Sequence, residues 1–215
     1  PCLADGNQVR IYQPEVLPEL VPEGDRPGRF RTHPAQNLTL PDPEPTYQIF
    51  EFPRQKSLRR LCIADFYLPY DVELNPERRL DVFPMQAVTV GPEATEFSQT
   101  LFADDRYTDY LYFYGLSVTL AEALAEWAHA RIRRELGFGA EDSADIRKIF
   151  HQGYRGSRYS FGYPACPHIP DQRQLLDLLQ SGQIGLSMDE SDQLDPEQST
   201  TALIAYHPEA RYFNA

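Results

Sequence analysis

Apolar and polar positions alternate over Val9-Arg10-Ile11-Tyr12 and Tyr47-Gln48-Ile49-Phe50-Glu51-Phe52, which predicts two strands with one covered face each. Arg60-Leu61-Cys62-Ile63-Ala64 alternates in the same way, and Val82 to Val90 reads as a further strand entering or leaving a sheet around Pro84. The period then changes. Asp104 or Asp105 is placed to cap a long helix running through Arg134, with Gly137 and Gly139 to stop it. A shorter helix is expected around Ser143–Phe150 with Ser143 as its cap, and another near Gln172–Gln180 ending at Gly182. Thr200–Tyr206 closes the set as a strand. Strands, then helices, then a strand predict an α+β fold: a twisted, mainly antiparallel sheet with a long buried helix and shorter helices in a single domain.

The stretch Pro14 to Pro45 holds eight of the 19 prolines and little periodicity, so residues 14–45 are read as a proline-rich surface excursion. With 215 residues, 41% hydrophobic and 12% aromatic, the chain has material for one sizeable core. A net charge of −12 argues against generic nucleic-acid binding, and no run of about 18 apolar residues is present to span a membrane. Three widely separated cysteines (Cys2, Cys62, Cys166) fit neither a disulfide framework nor a zinc knuckle and suit a reducing cytoplasm, and Pro1–Asp5 lacks the basic flank and apolar centre of a signal peptide. The first residue is not Met, which suggests a fragment incomplete at its N-terminus.

The long helix carries two apolar stripes at helical spacing, Val118/Ala121/Ala125/Ala128/Ile132 and Leu116/Leu120/Ala123/Leu124/Trp127, which predicts burial between layers. The remaining sector collects Glu122, Glu126, His129 and Arg133. It reads as a solvated polar stripe, as a metal site, or as a ligand wall; only one helix supplies such a set, which disfavours a metal, and no metal ligands are assigned. Arg131, Arg133 and Arg134, with Arg147 and Lys148 beyond, form a basic patch that is either simply solvated or a docking face for an acidic redox partner.

Residues 155–168 hold the densest chemistry. Two prolines and a glycine among aromatic residues predict a rigid, shaped loop, neither helix nor strand. A permanent cation beside ring faces suits a small anionic or zwitterionic ligand with an aromatic base; the alternative is a structural loop whose arginine caps a neighbouring helix.

The run Arg158 to Pro167 resembles the Arg-Pro-Ala-Pro-Gly-Tyr-Pro-Ala-Cys-Pro segment of the activation domain of cobalamin-dependent methionine synthase. Gly162-Tyr163-Pro164-Ala165-Cys166-Pro167 is identical to it, while Tyr159, Ser160 and Phe161 depart from Pro-Ala-Pro. Leu120–Trp127 resembles that family's Leu-Ala-Glu-Ala-Phe-Ala-Glu-Tyr helix, Ala64-Asp65-Phe66 its Leu-Ala-Asp-Phe strand end, and His207-Pro208 with Tyr212-Phe213 its His-Pro…Tyr-Tyr close. Together these cover most of residues 46–215.

The resemblance implies a methyltransferase domain that binds S-adenosylmethionine and presents its methyl group to cobalamin held by a neighbouring domain. An electron from flavodoxin or a similar donor would complete the repair of the oxidised enzyme, with no residue acting as acid or base. Arg158 is then expected to hold the α-carboxylate and Glu122 the α-ammonium, since the family's matching glutamate lies against the ligand. Backbone around Ser160 and Gly162, with Tyr212 and Phe213, is expected at the nucleoside, although the latter pair also reads as an ordinary hydrophobic strand end. Phe213 lacks the hydroxyl of the family's second tyrosine. Tyr163 is expected to stack on the corrin or close the pocket, unless it is plain core. The family's acidic Ile-Asp-Trp-Thr-Pro contact has no counterpart here. Against this stands a non-catalytic module that only binds S-adenosylmethionine or docks a partner. A free-standing nucleotide-binding methyltransferase is disfavoured because no strand is followed by a Gly-x-Gly turn.

Overall fold

A computed structural model describes residues 2–12, 21–22, 30–31, 47–56 and 59–214. In chain order the strands and helices are β1 (Cys2–Asp5), β2 (Gln8–Tyr12), β3 (Val21–Pro22), β4 (Phe30–Arg31), β5 (Tyr47–Glu51), β6 (Met85–Thr89), α1 (Pro92–Ala103), α2 (Tyr107–Glu135), α3 (Ile146–Ile149), β7 (Ser157–Tyr159), α4 (Gln172–Leu179), β8 (Ser187–Met188), β9 (Leu194–Asp195) and β10 (Ser199–Ala205). The class is α+β, and its ladders are antiparallel, spread over short sheets. Apart from the paired β3 and β4, the proline-rich stretch 14–45 lies outside the described residues.

The chain divides into two compact units: Pro1–Pro84, Glu141–His168 and Leu203–Ala215 form the first, and Met85–Ala140 and Ile169–Ala202 the second. In the first unit β1, β2 and β5 form one sheet in that order, with Val9 and Ile11 buried and Gln8 and Arg10 partly exposed, as the alternation predicts. Its core is aromatic. Phe50 lies within 6.4 Å of Phe52, 5.7 Å of Phe83 and 6.3 Å of Phe161, centroid to centroid. The second half of β10 pairs with β7, Leu203 opposite Tyr159 and Ile204 opposite Arg158.

In the second unit α1 packs on α2, with Phe97 edge-on to Phe113 at 4.7 Å, and α2 and α4 pack on β6. Buried Gln172 on α4 accepts the Thr201 hydroxyl at 2.7 Å.

Several expectations are corrected. Arg60–Ala64 is not a strand: Ile63–Phe66 is a 3-10 turn. Asp65 captures the Cys62 N–H at 2.9 Å and is gripped by both terminal nitrogens of Arg54 at 2.7 Å, so local polar bonding overrides the alternation. The long helix is not capped by Asp104 or Asp105. Asp104 ends α1, a helix the pattern missed, Asp105 has φ 58°, and α2 starts after Arg106. Asp145, not Ser143, caps α3 by accepting the Arg147 N–H.

The long helix is covered on one face, not two. Its buried residues are Ser117, Ala121, Ala125, His129 and Arg133, a single stripe at i, i+4, while Leu116, Val118, Leu120 and Trp127 are exposed. Small side chains allow close approach to β6, where buried Gln86 donates to the Ala125 carbonyl at 3.3 Å. The same packing takes His129 and Arg133 out of the polar sector, with Arg133 3.8 Å from Glu126. Arg133 therefore does not belong to a surface basic patch.

Candidate functional site

Residues 157–159, expected to be loop, form strand β7, and the turn begins only after it. Pairing with residues 203–205 fixes the strand's alternation: Ser157 and Tyr159 are buried, and Arg158 between them is half-buried. Gly156, just ahead, has φ +88°, and a Cβ there would lie 2.4 Å from the Ala205 carbonyl oxygen. Only glycine lets the two backbones approach this closely.

Beyond β7 the chain turns tightly. The Gly162 N–H donates to the Cys166 carbonyl at 2.9 Å and the Cys166 N–H to the Tyr163 carbonyl at 2.8 Å. Gly162 has φ +84°. Phe161, Ala165 and Cys166 anchor the turn in the core, while Gly162, Tyr163 and Pro164 face solvent, Tyr163 at 58%. Tyr163 is thus not plain core.

The closing segment 206–214 has no regular secondary structure and is held to the first unit by side chains. Arg155 donates to the Tyr206 carbonyl at 2.9 Å, Tyr159 donates its hydroxyl to the Arg211 carbonyl at 2.8 Å, and Gln55 donates to the Asn214 carbonyl at 2.6 Å. Arg155 also pairs with Glu141 at 3.2 Å, so this arginine has a structural task. Phe213 is buried, edge-on to Tyr159 at 5.9 Å and to Phe66 at 6.3 Å, whereas Tyr212 is 47% exposed.

The first unit therefore brings together Arg158, Ser160, Gly162 and Tyr163 on one strand and turn, and ties Tyr212 and Phe213 to it through Tyr159. Ser160 is half-buried. Glu122 is exposed on α2 of the second unit.

Burial pushes the thiols of Cys2 and Cys62 above the ordinary range, which leaves them poor nucleophiles, and the Tyr159 phenol is raised by burial as well. Buried Asp81 accepts the Leu68 and Val82 N–H groups and the Tyr206 hydroxyl. Sequence reasoning missed it; a lone Asp between apolar Leu80 and Val82 was the available signal. Among the described residues no group of three His, Cys, Asp or Glu side chains is placed to hold a metal ion. No helix among them is long and apolar enough to cross a membrane.

Residues 45–215 match the family model described as "Vitamin B12 dependent methionine synthase, activation domain". The chain belongs to that activation-domain family. It is 47% identical over 185 residues to the methionine synthase of Mycobacterium tuberculosis (strain ATCC 25618 / H37Rv), covering 82% of this chain and 15% of the relative. To the methionine synthase of Mycobacterium leprae (strain TN) it is 46% identical over 181 residues, covering 81% of this chain and 15% of the relative. The chain thus spans about 15% of the length of these methionine synthases. Its fold matches the crystal structure of the MetH reactivation domain bound to AdoHcy with a TM-score of 0.77 at 23% identity, covering 100% of this chain and 58% of that one.

Proposed function

We propose that this activation domain binds S-adenosylmethionine and presents its methyl group to a cobalamin held elsewhere in a longer methionine synthase, as part of that enzyme's reactivation. The observation that carries this reading is half-buried Arg158 on β7, followed at once by a turn locked by its own backbone bonds and bearing exposed Tyr163. The family membership supports it, and the fold match is to a reactivation domain that binds AdoHcy.

The bound ligand supplies an electrophilic methyl group on a sulfonium. The chain's own residues bind and orient. The Arg158 guanidinium offers a fork of donors matched to an α-carboxylate, and its partial burial strengthens that grip relative to a fully solvated cation. Gly162 lets a ligand approach the backbone without a side chain in the way. Tyr163 and Tyr212 present ring faces that stack on a base or exclude water. Phe213 contributes from beneath, as support for the backbone that carries Tyr212. No side chain is asked to move a proton. The assignment of Glu122 to the α-ammonium rests on the resemblance alone, and Glu122→Gln tests it separately. Cobalamin in a neighbouring domain and an acidic, flavodoxin-like electron donor are the partners this role requires, and a cytoplasmic location follows from them.

Calorimetric titration of S-adenosylmethionine into wild type and Arg158→Ala tests the reading. Binding by wild type and at least about a thirtyfold loss in the variant is expected, as for a charge-assisted carboxylate contact. Equal affinities would remove Arg158 from the site.

A further inference from the structure

We propose that Tyr159 is a positioning residue for the ligand site: its hydroxyl fixes the backbone that carries Tyr212 and so sets the affinity for the adenosyl ligand. This rests on the reading above and adds a residue that reading does not use. Tyr159 is 1% exposed, stacked on Phe66 at 6.3 Å and edge-on to Phe213 at 5.9 Å. Its hydroxyl donates to the Arg211 carbonyl at 2.8 Å.

Residue 212 is thereby bracketed. The carbonyl before it is clamped by Tyr159, and the side chain after it, Phe213, is buried against the Tyr159 ring. One side chain holds both neighbours of Tyr212, which is 47% exposed on a short irregular segment. Strand alternation completes the device. Tyr159 is buried while its neighbour Arg158 is half-buried, so one dipeptide supplies the ligand's cation and fixes the backbone of its ring partner. The position is one of the three where this chain departs from the resembling family segment. The proline of that segment has no hydroxyl to donate.

The test is calorimetric binding of S-adenosylhomocysteine to the intact protein carrying Tyr159→Phe, Tyr212→Ala, both, or Arg158→Ala. Tyr159→Phe keeps the ring and removes only the hydroxyl. It is expected to weaken binding about fivefold, the effect of one neutral hydrogen bond, and to have no further effect in the Tyr212→Ala background. Amide exchange of residues 211–213 should also accelerate in Tyr159→Phe without ligand, while the strands keep their protection. Unchanged affinity, losses that multiply in the double variant, or unchanged exchange would each overturn the proposal. If Arg158→Ala binds as wild type does, the site reading fails; if Arg158→Ala loses binding and Tyr159→Phe does not, this inference alone fails. A wild type that does not bind overturns both.

Discussion

Replacing Gly156 with alanine should destabilise the protein more than any other single-methyl addition near the site. The residue sits at φ +88°, which costs a non-glycine residue about 1–2 kcal/mol. The new Cβ would lie 2.4 Å from the Ala205 carbonyl oxygen and 2.9 Å from the Tyr206 Cα, both backbone atoms that no rotamer change can move. Relief requires pulling β7 away from β10 at the Ser157–Ala205 pair, at the expense of about one ladder hydrogen bond, roughly 1 kcal/mol. The sum is about 2–3 kcal/mol, or about 4–12 °C in Tm for a chain of this size. Gly6→Ala is the control: φ there is +60°, but nothing lies within 4 Å of the added methyl, so only the same backbone term of about 1–2 kcal/mol applies. Thermal unfolding followed by circular dichroism compares the two. Equal shifts for Gly156→Ala and Gly6→Ala would refute the close-approach argument.

Burial raises the Asp81 carboxyl above the ordinary carboxylate range, against the N–H groups of Leu68 and Val82, which pull it down. A raised folded-state value means its stabilising contribution is present below the ordinary carboxylate pKa of about 3.9 and is lost as pH rises through the folded value. Urea midpoints of wild type should therefore fall relative to Asp81→Asn between the ordinary and the raised value; a difference that stays flat or runs the other way refutes it. For partner docking, Arg134 on the exposed side of α2 replaces buried Arg133 as the charge to reverse. Arg134→Glu should slow electron delivery from an acidic donor several-fold at low salt and little at high salt, and rates unchanged at both would end the docking idea.

Much of the fold was legible: β2, β5, β10 and α4 lie where Val9–Tyr12, Tyr47–Phe52, Thr200–Tyr206 and Gln172–Gln180 place them, although β10 is buried continuously from Thr201 to Ala205 and Ile49 of β5 is exposed. The failures are local and physical. Asp65 and Arg54 bend an alternating segment into a turn through hydrogen bonds that hydropathy does not register. Helix α1 carried its own start signal, Pro92 at the first helical position, with Ala94, Ser98 and Leu101 spaced to face inward, but it follows directly on the strand pattern of residues 82–90, which masks its beginning. On α2 neither apolar stripe is the covered face: the buried stripe is Ser117, Ala121, Ala125, His129 and Arg133, which shares only Ala121 and Ala125 with the first, and hydropathy does not register a face that small and polar side chains pack. The site loop was the most legible part, because Gly162 through Pro167 carries its turn in its composition. Arg158 was singled out by its charge together with the resemblance and Tyr212 by the resemblance alone, whereas the Tyr159–Arg211 bond joins residues 52 positions apart and has no signature in either segment.

The most direct test of the central claim is a crystal structure of the protein with S-adenosylhomocysteine. The account predicts the ligand's α-carboxylate within hydrogen-bonding distance of the Arg158 guanidinium, beside the turn at Gly162 and Tyr163. Ligand bound elsewhere, or the space beside Arg158 filled by the protein's own side chains, would contradict it.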